Sequence, residues 1–133
     1  MAIATVAHQE IHVGSSVVIE ASAPDRRYKV VFEDDGETGY FYAVDPAKVS
    51  QPIQDAVQIY NVKSVADRQH PSVVEIVWSS DNLKAELLIN KQPHAVFDFS
   101  AKQGYCLSGF PPSHSGWSKA GHAWSSQVSD LIK

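Results

Sequence analysis

The stretch RYKVVFEDDGETGYFYAVD, Arg27 to Asp45, sets two apolar, aromatic segments on either side of Asp35-Gly36. Val, Tyr and Phe favour a pleated, half-buried surface, and Asp-Gly suits a two-residue turn whose central residues take positive φ, so the stretch predicts a β-hairpin. With that turn, Asp34 pairs with Glu37, Phe32 with Gly39 and Val30 with Phe41. Neighbouring side chains on a strand alternate faces, while cross-strand partners share one. One face of the hairpin therefore carries Tyr28, Val30, Phe32, Phe41 and Ala43 and reads as core. The other carries Lys29, Val31, Glu33, Thr38, Tyr40 and Tyr42, a tyrosine-rich mixed surface of the kind found at binding interfaces or beneath a second layer.

Outward from the hairpin, Ser16 to Ala21 (SVVIEA) reads as a strand broken by Ser22-Ala23-Pro24-Asp25, and residues 1–14 read as a tail or edge segment. Asp45 and Pro46 can cap a single short turn. Residues 53–65 fit a helix through Ile53, Ala56, Val57 and Tyr60, or a strand through Val57, Ile59 and Asn61. The β-branched content and the preceding Pro52 favour a strand over about Ala56 to Val62. From Val73 to Phe110 the chain reads as an antiparallel meander: VVEIVWS, LKAELLIN, HAVFDFS and YCLSGF, separated by short polar links. A three-residue loop at Lys91 to Pro93 pairs Ile89 with Ala95, Leu87 with Phe97 and Ala85 with Phe99, all apolar, and pairing Trp78 with Leu83 adds Val74 and Ile76 to that face. Residues 111–121 form a Pro/Gly/Ser loop. Residues 122–132 carry Trp124, Val128, Leu131 and Ile132 at helical spacing and predict a short C-terminal helix over an open sheet face.

The expected architecture is therefore mainly β, with about seven or eight strands in a meander sheet that forms a sandwich or partly open barrel. With 133 residues the chain fits one domain, 1–133, and at that size folding hides about two thirds of the unfolded chain's surface. The single cysteine, Cys106, allows no internal disulfide, which suits a reducing compartment. The N-terminal residues lack a basic start and a continuous apolar stretch, and no apolar run is long enough to span a bilayer, so the expected location is cytoplasmic without membrane contact. Net charge is −4 and the cations are scattered singly apart from Arg26-Arg27. Without a basic stripe, nucleic acid is not an expected partner.

Several polar groups merit weighing as sites. The registers above place Glu75, Glu86 and Asp98 side by side on the non-core face of three strands, an acidic row that would call for a cation, a nearby Lys84 or a raised carboxyl pKa. The plainer reading is a solvated face. Glu33-Asp34-Asp35-Gly36-Glu37 clusters carboxylates at a turn without the spacing of an EF-hand loop, so turn formation accounts for it. The six histidines match no metal-ligand pattern; neither a metal nor another cofactor is expected. His114 and His122 bracket Trp117, and with Asp98 and Cys106 they could line a small ligand pocket. For Cys106 a buried structural thiol is the simpler assignment, and no catalytic residue is assigned.

The strings VVFEDDGETGYFYAVD, IYNVKSVADR, EIVWSSDNLKAELLINKQPHAVFDF and GYC followed by GFPP occur here in order. Together they resemble domain-of-unknown-function family 2251, small uncharacterised bacterial proteins, over about Val17 to Trp124. The resemblance implies a free-standing bacterial cytoplasmic domain and brings no reaction, cofactor or site residue with it. The functional expectation is a non-enzymatic protein-binding or accessory, immunity-like module using Tyr40, Tyr42, Lys29 and Glu33. Its partner is another protein or, through a sheet edge, a second copy of the chain. The alternative is a small-molecule-binding β-domain, extending to a small enzyme, built on Asp98, Cys106, His114, Trp117 and His122.

Overall fold

A computed structural model describes residues 3–112 and 116–132. They form nine strands: β1 (Ile3–Ile11), β2 (Val17–Ser22), β3 (Lys29–Asp34), β4 (Thr38–Val44), β5 (Ile53–Asn61), β6 (Ser72–Ser79), β7 (Lys84–Ile89), β8 (Gln92–Asp98) and β9 (Gln103–Cys106). Two antiparallel sheets result, a five-stranded one in the order β1-β6-β7-β8-β9 and a four-stranded one in the order β2-β3-β4-β5. They pack face to face as a sandwich, without barrel closure, and residues 3–11 form an edge strand against β6.

Strand parity explains the core. Val30, Phe32, Phe41, Ala43 and Val57 of the smaller sheet, and Val74, Ile76, Trp78, Ala85, Leu87, Ala95 and Phe97 of the larger, are all fully buried. Aromatic rings join the layers: Phe41 stacks on Phe97 at 5.1 Å, and Tyr28 on Phe99 at 4.5 Å. Such pairs add about 0.5–1.5 kcal/mol each beyond their area. The Trp78 indole N–H donates across the sandwich to the Ala21 carbonyl at 3.3 Å.

The pairings differ from the sequence expectation by two residues in three hairpins, a slip that leaves every side chain on its expected face. In the first, Asp34 pairs with Gly39, Phe32 with Phe41 and Val30 with Ala43. The Asp35 N–H bonds the Thr38 carbonyl at 3.1 Å, so the two-residue turn is Gly36-Glu37 rather than Asp35-Gly36. Gly36 takes φ 97° at the first central position, where a glycine is wanted. The displaced Asp35 accepts the Glu37 and Thr38 N–H groups, each at 2.9 Å. Those donors, Thr38 foremost, hold its carboxyl below the usual range.

In the meander, Trp78 pairs with Ala85, Leu87 with Ala95 and Ala85 with Phe97. The β7–β8 link is the two-residue turn Asn90-Lys91, both at positive φ (51° and 68°), followed by an irregularity at Leu87/Leu88 that the three-residue loop had stood in for. The expected C-terminal helix over 122–132 is absent among the described residues: that stretch holds a single 3-10 turn, Val128–Asp130. Its first residues are committed elsewhere. The His122 carbonyl accepts the Cys106 N–H at 3.0 Å, and Ala123 bridges Cys106 in parallel. That pairing holds residues 122 and 123 extended and takes the first turn of the expected helix out of helical hydrogen bonding. The turn packs against β8, with Val128 and Ile132 buried and Trp124 and Leu131 only half-buried.

Candidate functional site

The outer face of the four-stranded sheet presents Val18 and Glu20 from β2, Lys29, Val31 and Glu33 from β3, Tyr40 and Tyr42 from β4, and Gln58 from β5. Strand alternation puts them there, opposite the buried Val30, Phe32 and Phe41. Tyr40 and Tyr42, two residues apart on one strand, stack at 5.9 Å with 20° between ring planes. The Tyr42 hydroxyl reaches Glu33 at 3.5 Å, and burial, then the Glu33 charge and hydrogen bond, raise its pKa above 10.0. Lys29 pairs with Glu20 at 2.8 Å. The four residues expected at a binding face thus lie together on one half-buried surface.

The acidic row is staggered rather than aligned. Glu75 lies opposite Leu88, Glu86 sits between Val77 and Val96, and Asp98 faces Lys84. Each sits on the outer face of the five-stranded sheet and is at most 9% exposed. Glu75 pairs with Lys91 at 2.9 Å. Asp98 accepts the Ser100 N–H, the Ser100 hydroxyl and the Ala101 N–H, ordering the turn after β8. No group of three His, Cys, Asp or Glu side chains suited to a metal ion occurs among the described residues.

The residues expected to line a ligand pocket are dispersed. His114 lies outside the described residues. Asp98 is on the outer face, whereas Cys106 and His122 are interior, at 0% and 1% exposure. Trp117 packs edge-on against Phe97 and Phe99 at 6.3 and 5.3 Å, and its rim lines an open groove of about 710 Å³ with Lys48, Gln51, Gln54 and Lys102. Neither Asp98, Cys106 nor His122 lines that groove. The Cys106 thiol sits 3.3 Å from the Ser108 hydroxyl and 3.5 Å from the Phe110 carbonyl, with no base in these contacts.

His122 instead belongs to a buried cluster with Asp55 of β5 and Ser118. Its Nε2 lies 3.0 Å from both Asp55 carboxylate oxygens, and its Nδ1 bonds the Pro111 carbonyl. The Ser118 hydroxyl donates to Asp55 at 2.6 Å and accepts the Gly104 N–H at 2.7 Å. A Cβ on Gly104 would come within 2.8 Å of the Asp55 carboxylate and 2.7 Å of the Phe97 ring, so only glycine admits the approach. The wiring is not that of a hydrolytic triad: Ser118 donates to the acid rather than to the imidazole, so His122 cannot activate it. All three residues are 1% exposed, out of reach of a substrate.

A second buried carboxylate, Asp34, accepts the Gly14 N–H and the Tyr60 hydroxyl, each at 2.7 Å, and the Gly36 N–H at 2.8 Å. Burial, then Asp34's hydrogen bond and charge, push the Tyr60 phenol far above 10.0. Sequence reasoning singled out none of Asp34, Asp55, Tyr60 and Ser118 as a functional centre. A signal was present: Asp34 shares parity with Val30 and Phe32, and Asp55 with Val57 and Ile59. An inward-facing carboxylate demands buried donors.

An uncharacterized protein of Haemophilus influenzae is 48% identical to this chain over 84 residues, which is 63% of this chain and 52% of that protein, so the match spans about half of the relative's length. No solved structure matches the chain. The model of the family described as "Uncharacterized protein conserved in bacteria (DUF2251)" matches residues 11–133, from the end of β1 through the C-terminal turn, and the chain belongs to that family.

Proposed function

We infer that this chain is a non-enzymatic protein-binding module, accessory or immunity-like in character, whose contact surface is the outer face of the four-stranded sheet. The observation that carries this reading is the uncovered tyrosine pair: Tyr40 and Tyr42 stand stacked on a sheet face over which no other described element packs. Stacked tyrosines offer large, rigid contact area at low entropic cost, with hydroxyls left for polar partners. Charge selects the partner. Glu20 and Glu33 on the face and Asp35 and Glu37 at the hairpin tip outweigh Lys29, which is itself tied to Glu20. With a net charge of −4, encounter with a basic protein surface is favoured.

The test is capture of a partner by the tagged full chain from a lysate of the source bacterium, beside a Tyr40→Ala plus Tyr42→Ala variant verified as folded by circular dichroism. Wild type should retain a basic protein that elevated salt releases and the double variant loses. Equal retention by the two proteins, or no retention by wild type, overturns the reading. Light scattering of the purified chain identifies the remaining occupant, a second copy, if the double variant alone is monomeric.

A further inference from the structure

The geometry points to a proton-held latch: Asp55 and His122 fasten the C-terminal segment, from Trp117 onward, across the seam between the two sheets, and loss of one proton frees that segment while the sandwich stays folded. This inference is independent of the binding face.

The seam is where β5, an edge of the four-stranded sheet, meets β9, an edge of the five-stranded one. Residues 117–123 lie along it. The Ser118 N–H bonds the Lys102 carbonyl at 2.9 Å, the Gln103 side chain bonds the Gly121 carbonyl at 2.7 Å, and the Cys106 N–H bonds the His122 carbonyl. These hydrogen bonds attach the segment to β9 and to Lys102 just before it, and its last turn packs against β8. Ser118 and His122 tie it by side-chain hydrogen bonds to β5, both to Asp55.

Proton positions follow from the partners. A carbonyl oxygen only accepts, so the Pro111 carbonyl requires a proton on His122 Nδ1. Asp55 Oδ1 already accepts the Ala56 N–H at 2.9 Å, and Oδ2 accepts the Ser118 hydroxyl, whose oxygen is occupied by the Gly104 N–H. Toward these groups Asp55 acts only as an acceptor. The arrangement is therefore an imidazolium donating from Nε2 to a carboxylate, with both side chains fully buried. Remove the Nε2 proton and two sets of lone pairs face each other at 3.0 Å, with the charge of Asp55 left unpaired in the interior.

The titratable groups that meet the ring are few. From β5 it is Asp55. From β9 it is Cys106, whose thiol turns toward Ser108 and Phe110. The Phe110-Pro111 loop and Ser118 bring no charge. Burial alone would push the imidazole down, but the Asp55 hydrogen bond, the Pro111 carbonyl and the Asp55 charge overcome it and hold the group above 6.5. A proton bound more tightly in the closed state stabilises closure fully below the ordinary value and ceases to do so as pH rises through the folded one. The latch is therefore shut below the ordinary value of 6.5 and loosens as pH rises above it through the folded value.

Hydrogen exchange by mass spectrometry on the full chain, corrected for intrinsic rates and run from about pH 6 to pH 10, tests this directly. Expected is an opening of residues 117–132 that grows about tenfold per pH unit between the ordinary and the folded pKa, with β6 to β8 unchanged. The His122 Cε1 proton, followed by NMR, should titrate over the same interval. His122→Gln keeps a donor but cannot titrate, so its exchange should show no pH step. A wild type without the step, a step displaced from the His122 titration, or a step that persists in His122→Gln overturns the latch. The first two outcomes need no variant to fold.

Discussion

Val96, on the outer face of the five-stranded sheet, has no exposed surface, whereas Val18, on the outer face of the four-stranded sheet, is 56% exposed. Both are apolar residues on outward-facing strand positions. After β9 the chain folds back, and its last turn packs against β8, where Val96 is buried; Val128 and Ile132 are buried as well. No described element does the same for β2 to β5, and there the outward residues stay half-buried at most and carry the tyrosine pair. The sheets themselves are alike in pattern. What separates a second hydrophobic layer from an available surface is where the irregular chain after β9 happens to lie.

The same substitution on the two faces should break this comparison if it is wrong. Val96→Asp puts an unpaired charge in a closed layer and is expected to cost on the order of 4 kcal/mol, enough to unfold a marginal domain. Val18→Asp should change stability by about 0.5 kcal/mol or less. Urea unfolding of both variants reads the difference. Comparable losses would mean that the smaller sheet's outer face is covered in solution, with self-association the first thing to examine.

A tyrosine-to-phenylalanine exchange sharpens the contrast between inward and outward polar groups. The Tyr60 hydroxyl donates to buried Asp34 at 2.7 Å, while Tyr42 reaches Glu33 at only 3.5 Å. Tyr60→Phe leaves a buried carboxylate short of a donor and should cost about 1–3 kcal/mol. Tyr42→Phe should be neutral to within about 0.5 kcal/mol by thermal melting, because water replaces the lost contact. A destabilising Tyr42→Phe would show that the outer face is organised by its own hydrogen bonds.

Much of the fold was legible because parity is a local property. Tyr28 to Asp45 and Val73 to Phe99 declare their inward and outward residues within a few positions, and an error of two in register cannot disturb that. Register itself was misread because it depends on turn details. Asp35 takes up two backbone N–H groups and moves the turn to Gly36-Glu37, and Asn90-Lys91 forms a turn that Lys91 to Pro93 had concealed. The acidic row was a by-product of those slips. At the C-terminus, helical spacing of Trp124, Val128, Leu131 and Ile132 was outweighed by pairing of residues 122 and 123 with Cys106. The Asp55–His122 contact joins residues 67 positions apart, a distance over which no periodicity or motif operates. Only the inward parity of Asp55 hinted that a distant partner had to exist.

The smallest expected effect lies in two phenols, one on each outer face. Tyr42 on β4 and Tyr105 on β9 both titrate above 10.0, in each case first because burial disfavours the phenolate. Their neighbours differ: Glu33 adds charge and a hydrogen bond at Tyr42, while Asp98 adds charge at Tyr105. A nearby carboxylate opposes formation of a second negative charge, so Glu33→Gln should lower the Tyr42 pKa and leave Tyr105 where it is. Carbon-13 NMR of labelled tyrosine resolves the two titrations. A bound basic partner should act on Tyr42 in the same direction as Glu33→Gln, by placing cations near the phenolate, and should spare Tyr105 on the face that the C-terminal turn adjoins. If the partner moves Tyr105 and not Tyr42, the covered face is the one that opens for binding, and the assignment of the tyrosine pair as the contact surface fails.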